Sequence, residues 1–144
     1  ERPADDVCIV FEDERWTNAD VVKSIDEIAF VLVEHYGVAR GDRVAINMRN
    51  FPEWITAFGA ATSIGAIAVS VNAWWTGPEI EFGLVDAGAK VLITDREFSA
   101  TMKEALDILH NQYQRHHTTI LIHKLHTQAF LLQAVSNADT RDLQ

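Results

Sequence analysis

The sequence predicts an α/β fold: a mainly parallel β-sheet with helices on both faces and an N-terminal hairpin at its edge. Three observations predict it. Short apolar runs with the two-residue period of a strand alternate with longer segments of helical period. Glycine follows three of the helical segments. The connections are short, and short turns between alternating strands and helices imply right-handed crossovers and a parallel sheet.

The first elements are a hairpin and a long helix. Val7, Ile9 and Phe11 alternate before the polar turn at 12–15, which predicts two antiparallel strands. Thr17 and Asp20 have the spacing of a capping box, so a helix begins there. Its apolar positions fall on one helical face, and Gly37 ends it: Val22, Ile25, Ala29, Leu32, Val33 and Tyr36.

Two further strand–helix units follow, and a short strand ends this part of the chain. A strand over 43–48 precedes Pro52, which fits the first turn of a second helix. That helix has a broad apolar stripe and ends at Gly65: Trp54, Ile55, Phe58, Ala61, Thr62 and Ile64. A strand over 67–71, a helix capped by Thr76 and Glu79 that ends at Gly88, and a buried strand over 91–93 complete it.

The pattern weakens beyond this point. Apolar spacing over 102–109 predicts a helix, 120–122 predicts a strand, and 124–144 is expected to be a helix or an irregular arm. The sequence therefore predicts an α/β part over 1–98 and a weaker extension of the same domain over 99–144.

Charge and cysteine content exclude several classes of function. The net charge is -9, and no basic stripe is present, which argues against nucleic acid and anionic lipid as partners. The single Cys8 permits no internal disulfide and fits a reducing compartment, so a cytoplasmic location is expected. Acidic residues at the start are unlike a signal peptide.

One stretch, from Trp54 to Pro78, contains no charged residue. Its length could span a bilayer, and tryptophans lie at both ends. However, hydroxyl side chains interrupt it and its period changes from helical to alternating. A buried helix followed by a buried strand is therefore favoured over a transmembrane segment.

Motifs for chemistry are sparse. Neither a P-loop nor a G-x-G-x-x-G pattern occurs, and Gly59 and Gly65 are interpreted as sites of close helix packing. Five of the six histidines lie between 110 and 126, but no cysteine is near them, so surface histidines are favoured over a zinc site: His110, His116, His117, His123 and His126. No nucleophile–base pair is evident, so no catalytic or metal residue is assigned.

The pair Trp74-Trp75 follows a predicted strand and precedes a capped helix. Two adjacent indoles there could belong to the core, or could form a wall that another segment completes. The sequence leaves both interpretations open.

Several short motifs follow one another between 37 and 95: Gly37-Val38, Gly41-Asp42-Arg43-Val44-Ala45, Asn50, Pro52-Glu53-Trp54, Gly65-Ala66 and Asn72. Together they resemble the opening of the AMP-binding, adenylate-forming superfamily of acyl-CoA synthetases, luciferases and peptide-synthetase adenylation domains. The pattern covers 7–97, and Val-Asn-Ala-Trp-Trp is most similar to the fatty-acyl or aryl CoA ligase branch. The resemblance implies part of the first subdomain of the adenylate-forming fold.

The resemblance also implies a reaction for the whole protein: carboxylate adenylation by ATP with Mg²⁺, then thioester formation with coenzyme A. The phosphate-binding loop and catalytic lysine of that family are missing here, so no cofactor-binding residue is assigned and this piece is expected to be inactive alone. Trp74 and Trp75 are the candidate wall of the acyl pocket. The expected partner is the rest of the synthetase or a second copy. Two alternatives remain: a non-catalytic interaction or oligomerisation module, and a small stand-alone nucleotide-binding domain.

Overall fold

A computed structural model of the chain describes residues 3–95 and two later strands at 119–123 and 132–135. The elements in chain order are β1 (Val7–Phe11), β2 (Glu14–Thr17), α1 (Asn18–Glu34), β3 (Arg43–Asn47), α2 (Pro52–Ser63), β4 (Ile67–Val71), α3 (Gly77–Ala87), β5 (Ala89–Asp95), β6 (Thr119–His123) and β7 (Leu132–Val135).

The main sheet has five strands in the order β4-β3-β5-β6-β7. All neighbouring pairs are parallel except β6 and β7, so the mainly parallel sheet is confirmed. Alternate residues of β3 and β5 point to opposite faces. One face packs against α1 and α2 and the other against α3, which confirms helices on both faces.

The hairpin forms as predicted, but its place differs from the prediction. β1 and β2 make a two-stranded sheet of their own and do not extend the edge of the main sheet. β2 ends at Thr17, and Thr17 is the N-cap of α1, so the hairpin lies at the start of that helix. Glu12 in its turn has a positive φ of 47°, as a tight two-residue connection requires.

Both capping boxes are confirmed. The backbone N–H of Thr17 donates to Asp20 Oδ2 at 2.8 Å, and the N–H of Thr76 donates to Glu79 Oε2 at 2.7 Å. The hydrogen bonds from the Thr17 hydroxyl and N–H lower the pKa of Asp20, and those from Thr76 lower the pKa of Glu79. The two carboxylates therefore serve to begin helices.

The face that α2 buries differs from the predicted stripe. Its small and polar residues are buried, whereas Ile55 and Phe58 are exposed. Small residues allow α2 to lie close to the sheet and to α1, because a Cβ on Gly59 would lie only 2.6 Å from Cδ1 of Ile25. β4 is likewise only partly buried, so the stretch from 54 to 78 is not the fully buried pair that the sequence suggests. Within 3–95 no helix has the length and apolar character to cross a bilayer.

The later part of the chain brings one confirmation and one correction. The strand predicted at 120–122 is β6. Within 124–144, where a helix or an irregular arm was predicted, Leu132–Val135 forms a strand that pairs antiparallel with β6. The apolar pattern of so short a run does not distinguish a helix from a strand, and pairing with β6 stabilises the strand. The helix predicted over 102–109 lies outside the described residues.

Candidate functional site

The winding of the sheet identifies one edge as the place where a ligand would bind. The chain passes from β3 outward to β4 and then returns across β3 to β5. The carboxyl ends of these strands therefore meet at a topological switch point, where open α/β sheets bind ligands. Asn47 ends β3 and stands in register with Val71 of β4 and with Thr94 of β5.

Asn47 and Asn72 hold the loop that follows β4. The buried Asn47 donates from Nδ2 to the carbonyl oxygen of Asn72 at 2.9 Å. Asn72 Oδ1 in turn accepts from the backbone N–H of Trp74 at 2.9 Å, and its carbonyl accepts from the N–H of Trp75 at 3.1 Å. This loop is therefore fixed to the end of β3 by a buried side chain.

The two tryptophans in this loop have different environments. Trp75 is half-buried against α3, where a Cβ on Gly83 would lie 2.8 Å from its Cζ3. Trp74 is 77% exposed. Trp75 therefore packs against the core on the α3 side, while Trp74 presents its indole at the surface beside the switch point.

Asp95, at the end of β5, is held by Arg49. Its carboxylate is 1% exposed, accepts from the backbone N–H of Arg49 at 3.1 Å, and lies 3.7 Å from Arg49 Nη2. The Arg49 guanidinium stands 4.7 Å from the ring centroid of Phe51, and that ring contacts Phe11 edge-on. Cation and aromatic contacts thereby connect the hairpin to the sheet edge.

Two buried polar atoms lie at the switch point without a hydrogen-bond partner among the described residues: Asn47 Oδ1 and Thr94 Oγ1. Both side chains are on the side of the sheet that faces α3. Ala45 and Leu92, two residues before Asn47 and Thr94, pack against α3, and residues two apart in a strand point to the same face. The amide oxygen of Asn47 can only accept a hydrogen bond, whereas the hydroxyl of Thr94 can donate or accept one. These residues can orient a polar group, but they supply no nucleophile and no general base.

The opposite, amino-terminal edge explains several motif residues. Asp42 Oδ2 accepts from the N–H of Ala39 and from Lys90 Nζ, both at 2.8 Å, and Lys90 also donates to the carbonyl oxygen of Gly37 at 2.6 Å. The hydrogen bond from Lys90, followed by that from Ala39, lowers the pKa of Asp42. This network closes the turn between α1 and β3.

Arg43 has a similar structural role at the end of α3. Its Nε donates to the carbonyl oxygen of Ala87 at 2.9 Å and its Nη2 to that of Gly88 at 2.8 Å. A cation at the carboxyl end of a helix satisfies terminal carbonyls and complements the helix dipole. The motif residues Asp42 and Arg43 therefore hold a turn and a helix end at the edge away from the switch point, whereas Asn72 of the same motif lies at the switch point.

The described residues do not fit the ATP and Mg²⁺ that the resemblance implies. At the switch point Arg49 is engaged with Asp95, whereas Lys90 and Arg43 lie at the other edge. In the part of the chain that the structure describes, no three His, Cys, Asp or Glu side chains cluster as metal ligands. His123 ends β6, and the histidine side chains between 110 and 126 lie outside the description, so the expected absence of a zinc site stays a prediction.

Sequence reasoning identified the Trp74 loop but missed Asn47, Arg49, Thr94 and Asp95. Their signal was present: each is a polar residue within two positions of the carboxyl end of an apolar strand. Only the strand order, with β3 between β4 and β5, brings them to one place.

Comparison with known proteins identifies relatives. The family model described as "AMP-binding enzyme" matches residues 1–142. The long-chain-fatty-acid–CoA ligase FadD13 of Mycobacterium tuberculosis is 41% identical over 81 residues, which are 56% of this chain and 16% of the ligase. An oxalate–CoA ligase of Arabidopsis thaliana is 36% identical over 89 residues, 62% of this chain and 17% of that protein.

Solved structures of CoA ligases share the fold of this chain. The anthranilate CoA ligase AuaEII, solved in complex with anthranoyl-AMP, superposes with a TM-score of 0.72 and 26% identity, over 83% of this chain and 22% of the ligase. In each comparison the chain spans only about a fifth or less of the relative's length.

Proposed function

Because the chain belongs to the AMP-binding enzyme family, we propose that it is the amino-terminal part of an ATP-dependent acyl-CoA ligase. The whole protein would adenylate a carboxylate, with release of pyrophosphate, and pass the acyl group to the thiol of coenzyme A. The observation that carries the proposal is the family match over 1–142 on an α/β fold that superposes with a CoA ligase.

In this proposal the described residues act as scaffold. The amino-terminal edge carries the turn and cap residues of the matched motif, and the carboxyl edge presents the Trp74 loop. We place the indole of Trp74 in the outer wall of the acyl pocket, since it is exposed at the switch point, with Trp75 as its anchor against α3. The printed names of the relatives include long-chain, oxalate and anthranilate ligases, so the proposal extends to a carboxylic acid and no further.

The proposal predicts that the 144-residue chain alone neither binds ATP tightly nor turns it over. The reason is that Arg49 and Lys90 are engaged with the carboxylates of Asp95 and Asp42, and no phosphate-binding loop is present in the sequence. Pyrophosphate release would be measured with ATP, Mg²⁺ and a panel of short, long-chain and aromatic acids. A full-length acyl-CoA ligase serves as the positive control. Release above the no-protein background with any acid contradicts the prediction.

A second candidate is a non-catalytic interaction module that uses the same scaffold. The observation that favours it is the uncharged stretch over 54–78, on which Phe58 and Trp74 are exposed. A defined assembly of the chain, with no recovery of activity when it replaces the matching part of a ligase, would favour this module over the ligase. We also propose a cytoplasmic location, in keeping with the exposed thiol of Cys8, and a fluorescent fusion would test it.

A further inference from the structure

One flank of the domain is built from residues of the stretch 54–78, which contains no charged residue. It consists of β4, at the end of the main sheet, and the outer side of α2, which precedes β4 in the chain and packs on it. Ile67 on β4 is 53% exposed, and Phe58 on α2 is 41% exposed. Ile67 alternates with Val69 and Val71, which pack on the α3 side, so Ile67 and Phe58 lie on either side of the β4 edge. We call this edge, together with the outer side of α2, the β4–α2 flank.

The edge of β4 lacks the features that usually protect an edge strand. Natural edges carry lysine, proline or a bulge that prevents another chain from pairing. β4 reads Ile-Ala-Val-Ser-Val, and it pairs with β3 without a shift in register. Among the described residues no strand pairs with its outer side. This edge therefore offers backbone N–H and C=O groups to a further strand.

The neighbouring side of α2 is apolar and ordered. Gly59 faces α1, and Trp54 and Phe58 lie about 100–140° around the helix from it. Their rings stack with centroids 5.5 Å apart and planes within 9°. A flat aromatic pair beside an open strand edge suits a partner that adds a strand and a helix together.

We propose that the β4–α2 flank binds the same flank of a second copy, with the two β4 strands antiparallel about a two-fold axis. A two-fold contact uses one surface twice, so an uncharged flank meets an uncharged flank although each chain carries a net charge of -9. The arrangement continues the sheet across the axis and sets the two α2 helices side by side. This proposal does not depend on the ligase function.

The dimensions of the flank set the expected affinity. β4 is about 17 Å long at about 3.3 Å per residue, and α2 is about 18 Å long at about 1.5 Å per residue. A strand and a helix layer about 20 Å deep give roughly 350 Å² per copy, less than half of the about 800 Å² in a standard interface. The dimer should therefore dissociate in the micromolar range, and salt should strengthen it by screening the acidic remainder.

Sedimentation of the full chain between about 1 and 100 μM, at low and moderate salt, tests the proposal. The mean mass should rise from monomer to dimer and stop there. Ser70→Lys, which puts a charge on the exposed edge, should weaken the dimer at least about tenfold, whereas Val10→Lys on the equally exposed β1 should leave it unchanged. Circular dichroism melting would verify that both variants are folded.

Cross-linking gives a second and independent measurement. In a Cys8→Ser background, single cysteines at 67–71 would be oxidised, with Val10→Cys as the control. A two-fold pairing brings only the residue at the axis within disulfide range of its own copy, so the yield should peak at one position of β4. A monomer throughout, a mass beyond the dimer, an unaffected Ser70→Lys variant, or yields on β4 no higher than for Val10→Cys would each overturn the proposal.

Discussion

The contact between α1 and α2 predicts an unusual response to a single methyl group. Gly59 of α2 faces Ile25 of α1, and a Cβ at residue 59 would lie 2.6 Å from Ile25 Cδ1 and 2.9 Å from Cγ1. Gly59→Ala should therefore destabilise the protein, even though alanine is the better helix former.

The magnitude follows from two opposing effects. The gain in helix propensity is about 1 kcal/mol, whereas overpacking a fitted contact costs about 1–3 kcal/mol. Ile25 cannot easily yield, because a β-branched side chain in a helix has essentially one χ1 rotamer. We expect a net loss of about 1 kcal/mol for Gly59→Ala. In an Ile25→Ala background both close atoms are gone, and the same substitution should stabilise by about 1 kcal/mol.

Urea unfolding of the four proteins in this double-mutant cycle would measure the coupling, which we expect to be about 2 kcal/mol. The diagnostic result is that Gly59→Ala lowers the free energy of unfolding when residue 25 is isoleucine and raises it when residue 25 is alanine. The apolar area lost in Ile25→Ala does not affect this comparison, because it is lost both with and without the substitution at residue 59. A Gly59→Ala variant that is more stable than the wild type by the full propensity gain would refute the packing argument.

Three further predictions concern caps and the Trp75 contact. Arg43→Gln should cost about 1–2 kcal/mol in urea unfolding, because it removes two charge-assisted hydrogen bonds to the end of α3; no change would show that water replaces them. The lowered pKa of Asp42 means that its contribution to stability is present above the unfolded pKa of about 3.9 and is lost as the pH falls through the lower folded value; Asp42→Asn should flatten the stability curve in that range, and an unaltered acid limb would contradict this. Gly83→Ala should displace the Trp75 ring, which lies 2.8 Å from the new Cβ, and the near-ultraviolet circular dichroism should change; an identical spectrum would mean that α3 moves instead.

Local features of the fold could be predicted because they depend on a few neighbouring residues. Thr17 with Asp20 and Thr76 with Glu79 begin helices through contacts three residues apart, and the structure places both boxes as expected. Gly88 ends α3 with a φ of 60°, a conformation that glycine adopts without a steric penalty.

Features that depend on tertiary contacts were harder to predict. The large residues of α2 suggested its buried face, but the approach of α1 at Gly59 selects the small residues instead and leaves Phe58 outside. The sequence also could not tell interior strands from edge strands: among the described residues β5 lies between β3 and β6, whereas β4 and β7 are the two edge strands. The polar group around Asn47 and Thr94 becomes visible only when strand order brings two separate strand ends together.

The most direct test of the central claim is a chimera. Residues 7–95 of this chain would replace the matching stretch of the mycobacterial long-chain ligase, with the unmodified ligase and a chimera carrying Arg43→Gln as controls. If the chain is the amino-terminal scaffold of an acyl-CoA ligase, the chimera should fold and catalyse acid-dependent ATP–pyrophosphate exchange, with the Arg43→Gln version less stable to heat. A chimera that is folded and monodisperse but supports no exchange with any acid the parent accepts would contradict the claim.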